Sequence, residues 1–342
     1  AEVMRSPKNI QAGLLSRLKV MADINIAERR IPQDGRVGLV VGGKAVDLRV
    51  ATLPTVYGEK VVIRILNKSS VMLNLQDLGF SDNNFTRFES SFKKPYGMIL
   101  VTGPTGSGKS TTLYATLNIL NQAESNIITV EDPVEYRLAG VNQIQINQKA
   151  GLTFASALRS ILRSDPNIVL IGEIRDRETA QIAVEAALTG HLVLSTLHTN
   201  DAPSAITRLN EMGIEPFLVS SAVDCVLAQR LIRVLCERCK EPYLPTEEAL
   251  VEAKIPIDGD IPKLYRAVGC SNCAKTGYRG RLAVHEVMLK SEEIDRLTAE
   301  RRSAEEIGRI AREQGMTTLR ADGIAKVLDG KTSLEEIMRV IV

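Results

Sequence analysis

Eight consecutive residues in the first half of the chain have the types and the spacing needed to hold a polyphosphate. Residues 103–110 match G-x-x-x-x-G-K-[ST], the pattern of phosphate-binding loops. In such a loop backbone N–H groups surround the phosphates, the lysine reaches the β- and γ-phosphates, and the next hydroxyl binds Mg²⁺. These last two roles would fall to Lys109 and Ser110. The predicted nucleotide-binding residues are Gly103, Pro104, Thr105, Gly106, Ser107, Gly108, Lys109 and Ser110.

The residues on either side of this loop favour a phosphate site. Residues 98–101 form a short apolar run typical of a buried strand, and Leu113, Leu117 and Leu120 recur at helical spacing. Strand, glycine loop and helix is the arrangement that presents a helix N-terminus to an anion. A glycine-rich turn between a strand and a helix is the plain alternative, but such a turn does not need the terminal Lys-Ser pair.

Acidic residues follow two apolar runs downstream of the loop. Glu173 follows the run 168–171 and is predicted to hold Mg²⁺, although it lies one position later than the usual aspartate. Glu131 is the predicted group for polarising the attacking water, with Asp132 and Glu135 as alternatives. A helix cap or turn would also explain this acidic segment, and the sequence leaves open which glutamate is the general base.

Histidines and arginines lie near the same apolar runs. His191 and His198 bracket a third run, 192–194. A histidine at a strand end is more often structural than catalytic, yet the position of His198 predicts that it senses phosphate. The sequence does not decide between these two roles for His191. Four arginines could stabilise charge on the phosphates or simply form an exposed basic surface: Arg159, Arg163, Arg175 and Arg177.

Four of the five cysteines form two C-x-x-C pairs, which indicates a metal site. They are Cys236, Cys239, Cys270 and Cys273. Four thiolates make a closed tetrahedral zinc site, which is structural rather than catalytic. An unmetallated thiol cluster is the alternative. Cys225 lies in an apolar run and is predicted to be a core residue.

The candidate residues need a sheet that brings several strand ends together. Apolar strands alternate with helices through the middle of the chain, a pattern typical of a largely parallel sheet with helices on both faces. In open α/β sheets the ligand binds beyond the carboxyl ends of the strands. We therefore predict an α/β fold in which the acids, the histidines and the phosphate loop meet at one edge.

The length of 342 residues exceeds one ordinary core and predicts several domains. Residues 37–50 read as a β-hairpin with a Gly42-Gly43 turn. The C-terminal part reads as helical because Ser-x-x-Glu capping boxes start at Ser303 and Ser333. The predicted segments are 1–66 (α+β domain), 67–92 (linker and helix), 93–233 (α/β core), 234–287 (tetracysteine subdomain) and 288–342 (helical subdomain).

Composition and charge exclude several classes of protein. The hydrophobic content of 44% and the charged content of 25% are those of a soluble globular protein. A net charge of +2 provides no strong field for nucleic acid or anionic lipid. No apolar run approaches the roughly 18 residues of a membrane helix, and no secretory signal is present, so we predict a cytoplasmic protein that is not integral to a membrane.

Taken together, these motifs resemble the secretion ATPase superfamily that drives type II secretion and type IV pilus assembly. The similarity covers essentially the whole chain. It rests on the loop 103–111, the acidic box Ile-Thr-Val-Glu-Asp-Pro-Val-Glu-Tyr at 128–136, Ile-Gly-Glu-Ile-Arg-Asp at 171–176 and the histidine box Thr-Gly-His-Leu-Val-Leu-Ser-Thr-Leu-His-Thr-Asn at 189–200.

The resemblance implies a hexameric motor that hydrolyses Mg²⁺-ATP. It implies a RecA-like P-loop NTPase core preceded by a PAS-like domain, with a zinc-knuckle insertion and a C-terminal helical subdomain. It adds Thr111 to the nucleotide contacts and makes Glu173 the acid of an atypical Walker B strand end. Strand arginines usually face solvent, but the resemblance implies that Arg49 and Arg64 reach a nucleotide from the N-terminal domain. The resemblance also matches Arg159, Arg163 and Arg175 to arginines of the family, which implies that they contact the nucleotide.

The resemblance also implies partners and a cellular place. They are an inner-membrane platform protein and a cytoplasmic docking partner, with the motor peripherally associated with the inner membrane. Relatives carry a docking domain before the position of Ala1, so a truncated core is expected. The cysteine quartet is similar to that of secretion and pilus-extension members, which favours assembly or export over retraction.

Two other functions compete with this interpretation. A RecA-like nucleic-acid translocase would need a basic channel with aromatic side chains. The chain has no tryptophan and 4% aromatic residues, so we expect no nucleic-acid partner. A nucleotide-dependent scaffold that hydrolyses little is the third hypothesis. Pilus assembly and type II secretion are not separated by the sequence, and neither is the hexamer symmetry.

Overall fold

The described chain, residues 4–67, 74–253, 255 and 261–341 of a computed structural model, belongs to two units divided between residues 72 and 73. Six residues of the predicted linker, 68–73, lie outside the described residues. The five-segment division of the sequence stays a prediction. Residues 74–92 belong to the second unit, and each unit has its own sheet.

The first unit combines one helix with a three-stranded antiparallel sheet in the order β1-β2-β3. The elements are α1 (Gln11–Met21), β1 (Gln33–Val41), β2 (Lys44–Thr55) and β3 (Gly58–Asn67). The predicted hairpin is confirmed, and its turn consists of Gly42 and Gly43 with φ of 58° and 77°. Two consecutive positive φ angles suit the twist of a two-residue hairpin and favour glycine. Val37 and Val50 are buried in the small core.

The second unit is organised around a seven-stranded sheet in the order β12-β9-β4-β8-β7-β5-β6 among the described residues. The strands are β4 (Gly97–Thr102), β5 (Ile127–Glu131), β6 (Asn142–Gln145), β7 (Ile168–Ile171), β8 (Leu192–Leu197), β9 (Val223–Leu235) and β12 (Tyr278–Leu289). Six run parallel, and β12 pairs with β9 in the antiparallel direction. The predicted α/β class is confirmed. Strand β4 is buried throughout, as its apolar sequence requires.

Helices and one small sheet complete the second unit. The helices are α2 (Asp82–Phe92), α3 (Lys109–Leu120), α4 (Phe154–Ile161), α5 (Arg177–Leu188), α6 (Pro203–Glu211), α7 (Pro216–Ala222), α8 (Glu247–Glu252), α9 (Glu292–Ala299), α10 (Ala304–Glu313), α11 (Leu319–Leu328) and α12 (Leu334–Val340). The small sheet pairs β10 (Glu241–Tyr243) with β11 (Leu264–Arg266). None of the described helices combines the length and apolar character needed to cross a bilayer.

The sequence does not predict the position of strand β12 in the large sheet. Most of it falls in the segment 234–287 that the sequence assigns to a tetracysteine subdomain, yet it extends the large sheet as an edge strand beside β9. In the register of this pair, His285 lies opposite Gln229. The cysteines therefore sit at the end of a hairpin-like pair of sheet strands. Pairing over this sequence separation leaves no local signal in the sequence.

Candidate functional site

The phosphate loop connects β4 to α3 as the motif predicts. Gly108 caps α3 with a φ of 91°, a left-handed conformation that favours glycine. A Cβ atom on Gly103 would lie 2.4 Å from the backbone carbonyl oxygen of Gln229, so the loop needs glycine at that position for space. The loop backbone is therefore shaped by conformational and steric requirements that the glycines alone meet.

The polar groups of the loop fit a phosphate. Lys109 is buried, and its Nζ donates to the carbonyls of Gly103 at 2.8 Å and Pro104 at 3.1 Å. Burial lowers the pKa of Lys109, and the charge of Glu173 opposes that shift. Among the described residues no hydrogen-bond partner reaches the buried Oγ of Ser107. A buried ammonium and an unsatisfied hydroxyl beside a helix N-terminus are suited to an anionic ligand.

Glu173 joins the ends of two strands at this edge. It lies two residues beyond β7 with a side chain that is 12% exposed. One carboxylate oxygen is 2.6 Å from Nη2 of Arg175, and the other is 3.5 Å from Nε2 of His198. Three residues singled out in the sequence therefore meet. His191 does not join them, because it precedes β8 at the opposite end of the strand and its Nδ1 lies 3.0 Å from the Ala186 carbonyl.

Glu131 ends β5 and is buried in a hydrogen-bonded network. Its Oε2 accepts from the hydroxyl of Tyr114. Its Oε1 accepts from Thr129 Oγ1 at 2.6 Å and from Gln143 Nε2 at 3.2 Å. Burial raises the pKa of Glu131, and the hydrogen bonds from these neighbours partly oppose the increase. A buried carboxylate with a raised pKa is suited to general-base chemistry and equally to a structural role.

The alternatives in the acidic box are more accessible than Glu131. Asp132 is exposed and Glu135 is partly buried, whereas Glu131 is 4% exposed. Among the described residues no hydrogen bond or ion pair engages the carboxylates of Asp132 and Glu135. These two acids are therefore free to contact a ligand without breaking an internal network.

Arg159 and Arg163 belong to α4 and to the turn that follows it. Arg159 on α4 pairs with Glu178 on α5. Arg163 lies in the turn beyond α4, and its Nη2 donates to Ser160 Oγ at 3.2 Å. Both side chains are exposed. Both guanidinium groups are therefore accessible to a ligand at the protein surface.

In the first unit the predicted pair of arginines is part of a row of three. Arg49 and Arg64 are directly opposite each other on neighbouring strands, and Arg36 is opposite Arg49 on the third. Asp34 Oδ1 lies 4.0 Å from Arg49 Nη2. Like charges placed opposite one another across a sheet repel, so such a row is suited to an anion. Sequence reasoning missed Arg36, although the register of the glycine hairpin places it beside Arg49.

The four cysteines predicted to bind metal come together. Their Sγ atoms all lie within 4.8 Å of one another. The Cys236–Cys270 distance is 3.9 Å, and the Cys239–Cys273 and Cys270–Cys273 distances are each 3.8 Å. Zinc–sulfur bonds of about 2.3 Å in a tetrahedron place the sulfur atoms about 3.8 Å apart. The geometry of the thiols therefore fits a zinc ion.

Backbone groups hold the thiols of this cluster in place. The N–H groups of Cys270 and Gly277 donate to the Sγ of Cys273 at 3.1 and 3.2 Å. The hydrogen bond from Cys270 is the largest effect on the pKa of Cys273, which falls to about 6. A low pKa favours the thiolate, which is the form that binds zinc. Cys225 is buried apart from the cluster, as predicted, and burial raises its pKa to about 12.

An ion-pair network supports the base of the cysteine cluster. Glu336 on α12 is buried and accepts hydrogen bonds from Arg233 on β9 and from Arg339. The guanidinium of Arg233 also lies 4.0 Å from the ring centroid of Tyr278, and Tyr278 bonds Ser333 at 2.7 Å. The strands that lead into and out of the cluster are thus attached to the C-terminal helix.

Sheet, phosphate loop and strand-end acids define a phosphate-loop α/β protein. A family model described as "Type II/IV secretion system protein" matches residues 1–339. The chain belongs to this family.

Two curated relatives illustrate its range. Type II secretion system protein E of Pseudomonas aeruginosa is 54% identical over 340 residues, which cover 99% of this chain and 67% of the relative. Type IV pilus assembly ATPase PilB of Myxococcus xanthus is 52% identical over 341 residues, which cover 98% of this chain and 60% of the relative. The chain therefore spans about two thirds of the length of these relatives or somewhat less.

A solved structure shares the fold. The crystal structure of the pilus retraction motor PilT with bound ADP matches with a TM-score of 0.67 at 27% identity. The match covers 91% of this chain and 77% of that chain. The predicted secretion ATPase resemblance is confirmed, and none of these similarities supports the nucleic-acid translocase.

Proposed function

We propose that this chain is the ATP-hydrolysing core of a motor for type IV pilus assembly or type II protein secretion. The observation that carries the proposal is the meeting of Lys109, Glu173 and His198 at one edge of the parallel sheet. A phosphate loop supplies binding, and an acid with charged neighbours at the adjacent strand end supplies the chemistry. The relatives named above are ATPases or secretion proteins, and the PilT structure holds ADP.

In this proposal the residues of the loop bind and orient the triphosphate. The backbone N–H groups of residues 103–111 surround the phosphates, and Lys109 turns from the loop carbonyls to the β- and γ-oxygens. Ser110 and Glu173 would hold a divalent cation, which when bound neutralises charge developing on the phosphates. Mg²⁺ is the proposed ion because hydroxyl and carboxylate oxygens are its usual protein ligands.

The acidic box supplies the group that orients the attacking water. We retain Glu131 for this role because burial raises its pKa, which improves a general base near neutral pH. Asp132 and Glu135 are the alternatives, and their free carboxylates suit direct contact with water. If Glu131 instead only positions the box, the base is Asp132 or Glu135.

Arginines would stabilise charge on the transferred phosphate. Arg175 and His198 already contact Glu173 and can shift toward a phosphate when one binds. Arg49 and Arg64, with Arg36 beside them, provide positive charge in the first unit. The outward position of Arg159 and Arg163 supports a role at a neighbouring subunit, as a hexamer would require. An arginine acting on the transition state is worth about 10³–10⁵ in rate.

The remaining assignments complete the motor. We propose that the core, residues 93–233, is RecA-like, that 1–66 is PAS-like, and that 234–287 and 288–342 form a zinc-knuckle subdomain and a helical subdomain. Zinc would hold its four cysteines as a structural site. A platform protein of the inner membrane and a cytoplasmic docking partner are the proposed partners, with the motor at the cytoplasmic side of that membrane.

The test is steady-state ATP turnover of the purified chain. Lys109→Ala should lower turnover at least ~100-fold, because the phosphates lose their main cationic partner. Lys93→Ala is the matched control, since Lys93 is exposed on the surface and pairs with Glu89. Turnover of Lys109→Ala at the wild-type level would reject the site. Strong stimulation by single-stranded DNA would instead favour the translocase.

A further inference from the structure

Strand β9 contributes two adjacent polar residues to the phosphate-loop edge. Gln229 and Arg230 interrupt a strand that is otherwise mostly apolar and buried, and Gln229 itself is 2% exposed. Successive side chains of a strand point to opposite faces. The two residues therefore reach different loops from one rigid strand.

Gln229 is attached to the phosphate loop at two points. Its Nε2 donates to the carbonyl of Ser107 at 2.8 Å. Its Oε1 accepts from the hydroxyl of Thr112, on the first turns of α3, at 2.7 Å. Because both ends of the amide are used, its orientation is determined by the network. The loop thereby has a fixed support from β9.

Arg230 is attached to the loop that follows β8. Its Nη2 donates to the carbonyl of Asn200 at 2.9 Å and to Oδ1 of the same residue at 3.1 Å. Its Nη1 donates to the carbonyl of Gln229 at 3.2 Å. Burial lowers the pKa of Arg230, and the carboxylates of Asp201 and Glu286 oppose that shift. Asn200 lies two residues after His198, so Arg230 holds the segment that carries the predicted phosphate sensor.

We propose that Gln229 and Arg230 are positioning residues that set the phosphate loop and the histidine loop against each other. Gln229 keeps the loop N–H groups directed at the nucleotide, and Arg230 keeps His198 at the distance from the phosphates that hydrolysis requires. Misplacement of such groups by about 1 Å can cost ~100-fold in rate. The inference rests on the proposed ATPase function and deepens it.

The two residues should fail in different ways. Gln229→Met removes both amide contacts and should weaken binding of a fluorescent ADP analogue about tenfold, because a buried loop carbonyl loses its donor. Arg230→Met should leave the Kd for ADP within about twofold, since the phosphate loop is intact, and lower kcat about tenfold. Arg230→Lys should not restore kcat, because an ammonium cannot make the forked contact with Asn200.

The measurements are ADP binding, kcat and KM for ATP, and thermal midpoint, all on the full chain. Arg233→Met is the matched control on the same strand and should leave Kd and kcat within about twofold. Thr112→Val is a second, milder variant: it removes one contact of Gln229 and should weaken ADP binding less than Gln229→Met does. It also keeps the test valid if Gln229→Met does not fold.

Several outcomes would overturn the inference. One is wild-type Kd and kcat in both the Gln229 and Thr112 variants. Another is full recovery in Arg230→Lys, which would mean that charge alone matters. A third is a loss of activity that only follows the loss of folded protein. Lys109→Ala measured beside them separates the two hypotheses. If that variant is inactive while the β9 variants are normal, only the positioning role fails.

Discussion

Strand β9 reaches both the phosphate-loop edge and the cysteine cluster. Different kinds of contact hold these two regions together. At the edge, Glu173 contacts Arg175 and His198 through side chains, and the ammonium of Lys109 donates to loop carbonyls. At the cluster, backbone N–H groups and short turns fix the thiols, and an ion pair to the buried Glu336 supports their base. Side-chain contacts can exchange partners when a ligand binds, whereas the backbone contacts cannot. We therefore expect the chemistry to be concentrated in the first region and the stability in the second.

The largest expected effect tests whether the acidic box is purely catalytic. Glu131→Gln should lower turnover at least ~100-fold and also lower the thermal midpoint by roughly 5 °C, because Tyr114, Thr129 and Gln143 lose a charged acceptor. Glu135→Gln should change turnover alone. Steady-state kinetics and thermal unfolding measure both. The variant with the greater loss of kcat identifies the base, and equal midpoints for the two would contradict the structural part of this prediction.

The second effect concerns stability with little change in chemistry. Cys273→Ser should abolish binding of about one zinc per chain and lower the thermal midpoint by roughly 10 °C, because a structural zinc contributes directly to folding. Turnover per folded molecule should stay within about twofold. Cys225→Ala is the control, since that thiol lies outside the cluster and should leave the zinc content unchanged. Wild-type protein that is folded but contains no zinc would reject the metal assignment.

The smallest effect is a pH dependence at the base of the cluster. Burial by itself raises the pKa of Glu336, but hydrogen bonds from Arg339 and Arg233 outweigh it and lower the pKa from 4.5 to about 2. A carboxylate whose pKa is lowered by folding stabilises the folded protein. This stabilisation is complete at pH values above the pKa of the same group in the unfolded chain. The contribution is therefore lost as pH falls from about 4.5 to about 2.

Thermal midpoints at pH 7 and pH 3 check this dependence. Glu336 should account for about 1 kcal/mol of the stability that wild type loses over this range, because the pKa difference gives roughly 2 kcal/mol before solvent screening. Glu336→Gln should therefore lose less, because it has no carboxylate to protonate. Glu335→Gln is the control, since Glu335 is an exposed neighbour on the same helix. Identical pH profiles for wild type and Glu336→Gln would show that the ion pairs of Glu336 do not stabilise the base of the cysteine cluster.

Local patterns predicted the parts of the molecule that local chemistry determines. The glycine loop, the Gly42-Gly43 hairpin and the capping box between Ser303 and Glu306 all form. At the second box the serine caps α12, but the carboxylate of Glu336 turns to arginines instead of returning to the cap. An ion pair across the fold outweighed the local partner, and nothing near Ser333 in sequence indicates that.

Contacts between distant segments were the parts that could not be predicted. The pairing of β12 with β9 is one example, because strand partners depend on the whole sheet. The support of the phosphate loop by Gln229 is another. Its only trace in the sequence is an uncharged polar residue within a buried apolar strand. The proximity of Glu173 to His198 is an exception, because it follows from the general rule that the ends of parallel strands converge.

Strand β9 restricts insertions and deletions in the segment between the phosphate-loop contact and the cysteine cluster. Gln229 lies beside the phosphate loop, and the same strand ends one residue before Cys236. Side chains alternate along a strand, so deletion or insertion of a single codon between them would turn one of the two to the wrong face. Only changes by pairs of residues would keep both orientations, and those would move the cysteine by about 7 Å. Small insertions or deletions therefore cannot readily change the number of residues between Gln229 and Cys236.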